Sequence, residues 1–333
     1  MPKVSIAIVN FNGEALLRKN LPDVLRQDYQ DFEIIVVDNG STDGSVKLLE
    51  EEFPEVRVVR LEQNAGFAAG VNRAIESSNG DYVATLNNDA RPNPDWLSNL
   101  VTFAEENADF GMIASKMVFD HDPAIINSAG ISLDLAGIAW DRMVGDRGGG
   151  PSREIFGPSA GAALYRRRLF DDVGGFDESF FAYLEDVDLA WRARLAGWRC
   201  WYVATAAVRH EHSATAIEGS PFKNFHLGRN KILSILKNYP FPQLLLHAPL
   251  IVFYDLGAIP YTLVSRRDPS ILLGRLAAFR ELRKTLSSRR AIQRSRRVGW
   301  SGLSETMDGF YSPWTLFRRY SRLRSVLARR SAV

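Results

Sequence analysis

The sequence predicts an α/β fold with a mainly parallel sheet and helices on both faces, followed by a helical C-terminal region. Three observations carry this. Apolar strand-like runs alternate with segments of helical period four times before residue 110. The strand-like runs at 4–10 and 33–38 end in polar residues, and the run at 82–86 leads into them. Beyond residue 240 the chain becomes strongly apolar, then Arg-rich.

Val4 to Asn10 reads as the first strand, and residues 14–26 as a helix with Ala15, Leu16, Leu21, Val24 and Leu25 on its apolar side. Glu33 to Asp38 is nearly continuous in apolar residues, the pattern of a strand buried on both faces. Thr42 or Asp43 can cap a helix running through Leu49. Val56 to Leu61, residues 66–78 and Tyr82 to Leu86 supply a third strand, a third helix and a fourth strand. In such sheets ligands bind at the carboxyl ends of the strands, here Asn10, Asp38-Asn39-Gly40 and Asn87-Asn88-Asp89. After residue 110 the alternation fails. Gly148-Gly149-Gly150 reads as a flexible loop, residues 185–196 as a short amphipathic helix and Trp198 to Val203 as a strand. Residues 222–237 read as a helix with Lys223, Arg229, Lys231 and Lys237 on its polar side.

Composition narrows the class. With 333 residues, 46% hydrophobic and 24% charged, the chain is neither disordered nor fibrous. The lone cysteine, Cys200, excludes an internal disulfide framework and a Cys-x-x-Cys zinc site, and fits a reducing compartment. Met1-Pro2-Lys3 leads into an apolar run too short and wrongly flanked for a signal peptide. The net charge of +2 conceals an asymmetry, because residues 266–333 hold 17 Lys and Arg against 4 Asp and Glu while the remainder is acidic. A region this basic expects an anionic partner. Residues 244–264 have the length of a membrane span, but Pro249, Pro260 and Asp255 argue against a clean one. A monotopic or re-entrant element at an anionic inner membrane face is expected, with a buried helical hairpin as the alternative.

The runs Val4-Ser-Ile-Ala-Ile-Val-Asn-Phe-Asn12, Ile34-Ile-Val-Val-Asp-Asn-Gly-Ser-Thr-Asp43, Asn64-Ala-Gly-Phe67, Leu86-Asn-Asn-Asp89, Gly174-Gly-Phe-Asp177 and Glu185-Asp-Val-Asp-Leu189 occur in this order. Together they resemble the family-2 inverting glycosyltransferases of the GT-A fold, in a flavour similar to the rhamnosyltransferase-like bacterial branch. The resemblance covers about residues 3–237. It implies a catalytic domain over 1–237, with 1–110 as the nucleotide-sugar half and 111–237 as the acceptor and catalytic half, and a C-terminal region over 238–333. The implied reaction moves a sugar from a UDP- or dTDP-sugar, dTDP-rhamnose among them, to a glycan or lipid-linked acceptor in cell-surface polysaccharide synthesis.

The implied residue roles follow. A departing diphosphate accumulates negative charge, and a divalent ion, Mn2+ or Mg2+, is the usual means of holding it. Asp89 matches the last Asp of the family's DxD metal motif, and Asn87 departs from its first. His210, 24 residues after Asp186, is the second metal candidate, with His212 as its alternative. Asp186 matches the general base, while Glu185 and Asp188 are weaker candidates and Asp188 can simply pair with Arg192. Asp38 matches the base-reading Asp, bordered by Asn10 and Phe11, and Asn88 completes the strand-end group. Asp43 is placed near the ribose or at a helix cap. Asn64 and Gly66 precede a helix N-terminus whose N–H groups favour a diphosphate. Residues 156–165 are expected on the acceptor side. A nucleotidyltransferase or a degenerate sugar-binding scaffold are the rival readings, and no nucleic acid is expected.

Overall fold

The computed structural model describes residues 3–211 and 219–330. The chain order begins β1 (Val4–Asn10), α1 (Glu14–Leu25), β2 (Phe32–Asp38), α2 (Ser45–Glu52), β3 (Arg57–Arg60), α3 (Phe67–Ser77), β4 (Tyr82–Asn87), β5 (Ala90–Pro92) and α4 (Trp96–Glu106). It continues through β6 (Phe110–Phe119), β7 (Asp122–Ser128), β8 (Ile131–Leu133), β9 (Ala139–Asp141), β10 (Arg153–Glu154), β11 (Ala162–Arg166), α5 (Arg167–Val173), α6 (Glu185–Leu195) and β12 (Arg199–His210). The remainder is helical: α7 (Pro221–Asn238), α8 (Phe241–Arg266), α9 (Ser270–Ala278), α10 (Leu282–Ser295), α11 (Trp300–Ser304) and α12 (Pro313–Arg330).

The central sheet runs β10-β12-β6-β11-β4-β1-β2-β3, with β5 beside β12 and β7 beside β6. β1 pairs in parallel with β2 and β4, and β2 with β3, as the alternating pattern requires. β11 inserts antiparallel between β4 and β6, so the sheet is mixed on that side. Side chains alternate across it. Ile6, Ile8, Ile34 and Val36 pack with α1, α2 and α4, while Ala7, Ile35 and Val37 pack with α3 and α6. In-register pairing of Asn10 with Asp38 and of Val9 with Asn87 brings the three polar strand ends to one edge.

Three expectations need correction. The strand read over Trp198 to Val203 extends through His210, because its outer part pairs with β5 and β6. Lys231 and Lys237 do not lie on a solvated face. Lys237 is buried between Asp177 (2.6 Å) and Asp188 (2.9 Å), and Lys231 pairs with Asp255 of α8 at 2.9 Å. Residues 156–165 are largely core, since β11 is an interior strand and Phe156, Leu164 and Tyr165 are buried.

The C-terminal helices clasp the α6–α7 layer. Arg275 of α9 joins Lys231 on Asp255 at 2.8 Å, tying three helices through the single acid of α8. In α10, Arg289 donates to the carbonyls of Leu236 and Tyr239, closing the end of α7. α8 carries the one stretch among the described residues, Phe241–Val264, long and apolar enough to cross a membrane. Its Ile251, Tyr254 and Asp255 face the protein, while Leu245, Leu246, Val252, Phe253 and Leu256 are exposed.

Candidate active site

β4 ends at Asn87, the chain turns through Asn88-Asp89, and β5 then pairs with β12 so that Ala90 lies opposite His210. That register brings the Asp89 carboxylate within 3.0 Å of the His210 Nε2. Both side chains are almost wholly buried. Asn127 of β7 sits with its Oδ1 2.8 Å from the His210 Nδ1, which fixes the ring and directs Nε2 toward Asp89. Burial pulls the imidazole pKa down, and the adjoining Asp89 carboxylate more than reverses it, holding His210 above its ordinary value. The Asn87 amide nitrogen lies 3.3 Å from the same Nε2. His212 lies outside the described residues.

Asp186 stands in the first turn of α6, where Leu184, in a left-handed conformation, takes the N-cap position. The Asp186 carboxylate accepts from the backbone N–H of Ala160 (3.2 Å) and Val187 (2.8 Å). Burial pushes its pKa up to about 6 against these donors, and the Asp141 charge adds to the rise. Its neighbour Glu185 is buried with one carboxylate oxygen unpartnered, and burial, then the Asp186 charge beside it, pushes its pKa up. Asp188 faces inward, bound by Arg192, Lys237 and Asn238 at 2.8–2.9 Å, and the i,i+4 pair with Arg192 is present as read.

Backbone contacts join the two centres. Ala160 holds Asp186, the carbonyl of the next residue, Gly161, accepts from the Asn87 N–H at 2.9 Å, and the Asn87 side chain reaches His210. Asp141, at the end of the β8–β9 hairpin, acts electrostatically on both Asp186 and His210. Neither Asn127 nor Asp141 carried a sequence signal, since both lie where the strand–helix alternation has broken down.

On the first-strand side, Asn88 donates to the Asn10 Oδ1 at 2.8 Å, and the Asn10 amide reaches Ser41 (3.4 Å) and Asp38 (3.5 Å). Asp38 accepts from the Ser41 N–H at 3.1 Å, and Phe11 is exposed at the rim. Asp43 accepts from the N–H groups of Glu14 and Ser45, both 3.0 Å, a cap shared by the starts of α1 and α2. An open cleft of about 620 Å³ adjoins Asn12, Gly13, Lys19 and Asp43. Asn39 organises the loop before α3: it donates to the Asn64 Oδ1 (3.0 Å) and the Gly66 carbonyl (3.1 Å), and accepts from Ala65 (2.9 Å). The N–H of Gly66 goes to Asn64 at 3.0 Å. The N–H groups of Ala65 and Gly66, just ahead of the helix N-terminus expected to favour a diphosphate, are therefore taken by side chains. Asn39 stood inside a quoted motif but reads there as a turn residue.

The pair fits a divalent ion. A carboxylate and an imidazole converge at a polar strand end, and the imidazole's other nitrogen is held by an amide oxygen. Among the described residues no group of three or more His, Cys, Asp or Glu side chains is placed to hold a metal ion.

Comparison with known proteins matches this arrangement to a family. Residues 5–174 match the family model described as Glycosyl transferase family 2. An N-acetylglucosaminyl-diphospho-decaprenol L-rhamnosyltransferase of Mycobacterium tuberculosis is 30% identical over 213 residues, 56% of this chain and 69% of that protein. An uncharacterized protein of Sinorhizobium fredii is 30% identical over 244 residues, and the match spans 68% of this chain but only 26% of that longer protein. The crystal structure of GalNAc-T7 with UDP, GalNAc and Mn2+ superposes with a TM-score of 0.58 at 15% identity, over 71% of this chain and 48% of that one. The sheet order, the strand-end site and these matches agree: the fold is GT-A, and the chain belongs to glycosyl transferase family 2.

Proposed function

We propose that the protein is an inverting glycosyltransferase that moves a sugar from a UDP- or dTDP-sugar to a glycan or lipid-linked acceptor in cell-surface polysaccharide synthesis. dTDP-rhamnose is the favoured donor, on the likeness to the mycobacterial rhamnosyltransferase. The observation that carries the reading is Asp186, a carboxylate with its pKa raised to about 6 and bridged by Ala160, Gly161 and Asn87 to the Asp89–His210 pair.

Residues 1–237 form the catalytic unit in this reading. Asp38, Asn10, Phe11 and Asn88 receive the nucleotide base, Asp43 shapes the rim near the ribose, and the Asn64–Gly66 loop borders the diphosphate. Asp89 and His210 would hold Mn2+ or Mg2+, whose chemistry there is to neutralise charge on the departing diphosphate. Asp186 accepts the proton of the acceptor hydroxyl as that oxygen bonds to the anomeric carbon and the carbon–diphosphate bond breaks. A base with a pKa near 6 is ionised at neutral pH and still accepts a proton in the transition state.

Residues 238–333 bind the cytoplasmic face of an anionic membrane as a peripheral or monotopic element. Support comes from the exposed apolar side of α8 beside a segment of charge +13. Donor hydrolysis tests the core reading: UDP- and dTDP-sugars, with and without Mn2+, should yield free nucleotide at a metal-dependent rate. No hydrolysis or transfer with any nucleotide sugar, with metal present, overturns it.

A further inference from the structure

A second cavity, of about 640 Å³, opens between the β8–β9 hairpin, β10 and the segment that follows α11. Its outer wall is pinned to the catalytic unit through backbone hydrogen bonds. The Val298 N–H donates to the Leu195 carbonyl at 3.2 Å, and the Asp308 N–H to that of Leu133 at 2.7 Å. None of the residues that line it is among those placed at the strand-end site.

Four arginines line this cavity, and they are of two kinds. Arg194 and Arg199 share the Glu154 carboxylate, at 2.7 and 3.1 Å. Arg142 and Arg153 form no ion pair among the described residues. The pairing of β10 with β12 sets Arg153 opposite Tyr202, and the Arg142 guanidinium lies 5.3 Å from the centroid of the Tyr202 ring. Opposite residues of an antiparallel pair share a face, so both cations stand at the same ring. Burial, and after it the Arg153 charge, hold the Arg142 pKa below the ordinary arginine value, while Asp308 acts the other way more weakly. Two guanidiniums that face each other without an anion between them repel.

A carboxylate or phosphoryl group placed between them removes that repulsion, and the forked N–H donors of arginine match the oxygens of either group. The rest of the lining narrows what such a group is attached to. Glu305 has no side-chain partner among the described residues, and Asp308 accepts from the Tyr311 hydroxyl. Ionised carboxylates only accept hydrogen bonds, so these two favour hydroxyl donors and repel further negative charge. Trp198 adds an aromatic surface to the same cavity. One anion position, hydroxyl acceptors and an aromatic ring together suit a sugar bearing a single acid group, whereas a polyphosphate would meet Glu305 and Asp308.

We infer that this cavity is a second, non-catalytic binding site for an acidic sugar, whose carboxylate or phosphoryl group is held between Arg142 and Arg153. Its hydroxyls meet Glu305 and Asp308. The site stands independently of the transferase reading, because no residue assigned to that reaction lines it.

The test is titration calorimetry on the full chain in the absence of metal. Glucuronate and glucose 6-phosphate are the two acid forms, glucose the neutral control and inorganic phosphate the bare anion. At least one acid sugar should bind about tenfold or more tightly than both glucose and phosphate, and the one that does so identifies the acid group. Arg153→Ala, at an exposed position, and Arg142→Gln should each weaken that binding by about tenfold. Arg153→Glu should abolish it and raise the Tm, because an opposite charge then faces Arg142. Wild-type affinity in both Arg153→Ala and Arg142→Gln overturns the site, as does equal binding of the acid and neutral sugars or a lower Tm in Arg153→Glu. Phosphate bound as tightly as the better acid sugar would mark an anion site without a sugar pocket, and that also overturns the inference.

Discussion

His210 reaches Asp89 across 121 positions of chain only because β5 folds back on the end of β12, placing Nε2 3.0 Å from the carboxylate. The contact depends on a third residue, Asn127, whose Oδ1 holds the opposite ring nitrogen at 2.8 Å. Partners of this kind usually carry a 10–100-fold share of metal affinity. Asn127→Ala should therefore weaken Mn2+ binding by roughly that factor, and Asp89→Ala should abolish metal-enhanced UDP binding. Titration calorimetry with Mn2+, then UDP, reads both. Unchanged Mn2+ affinity in Asp89→Ala would remove the pair from metal binding.

Lys237 is buried between the carboxylates of Asp177 and Asp188, the second of which also binds Arg192 and Asn238. For Asp177, burial opposes ionisation and the Lys237 charge overcomes it, lowering the pKa below the carboxylate range. Lys237→Met should destabilise the fold by about 3–5 kcal/mol, the usual cost of leaving a buried charge unpaired. The urea midpoint gives the answer, and a loss under about 1 kcal/mol would mean that Arg192 and Asn238 satisfy the network without it.

Asp134 is fully buried, and burial pushes its pKa up to about 6 despite N–H donors from Ile138 and Ala136. The folded state then binds a proton more tightly than the unfolded chain, so this group's contribution falls as pH rises from about 4 to 6. Asp134→Asn keeps an oxygen to accept from Ala136 and Ile138 at 2.9 and 2.8 Å and cannot ionise. Its stability should decline less across that window than the wild type's, by up to about 2 kcal/mol, in urea titrations at pH 4.5 and 7. Parallel curves would show that Asp134 does not titrate there.

The exposed side of α8 yields a membrane prediction. The full chain should float with vesicles containing anionic lipid, bind neutral vesicles less, and be only partly released by high salt, since apolar burial is not screened. Leu246→Glu with Phe253→Glu should weaken flotation while leaving the Asp255 contacts in place. Failure of the wild type to bind either vesicle would require another cover for that face.

The first half of the fold was legible because β1, β2 and β4 are buried on both faces and the helices that alternate with them carry an apolar side, so periodicity and polar strand ends sufficed. Asp89, Asp186 and His210 were singled out through motif resemblance, and contacts of Ala160, Gly161 and Asn87 link their side chains in the structure. The contacts that orient them were not legible. Asn127 and Asp141 come from β7 and β9, short strands in a segment without regular period, and their roles arise from pairing between distant residues. Lys237 reads as a surface lysine at its helical position, and only the tertiary placement of Asp177 and Asp188 reveals it as an internal cation. Asn39 was hidden by ordinary turn chemistry.

The central claim, that Asp186 is the base, is tested most directly by the pH dependence of kcat/KM for sugar transfer in the wild type and in Asp186→Asn. The wild type should show an acidic limb near pH 6, set by the carboxylate that burial raises to that value. The variant should lose the limb and fall by roughly 10²–10⁴-fold while UDP and Mn2+ affinities are retained. Near-wild-type turnover with the same acidic limb in Asp186→Asn would contradict the account.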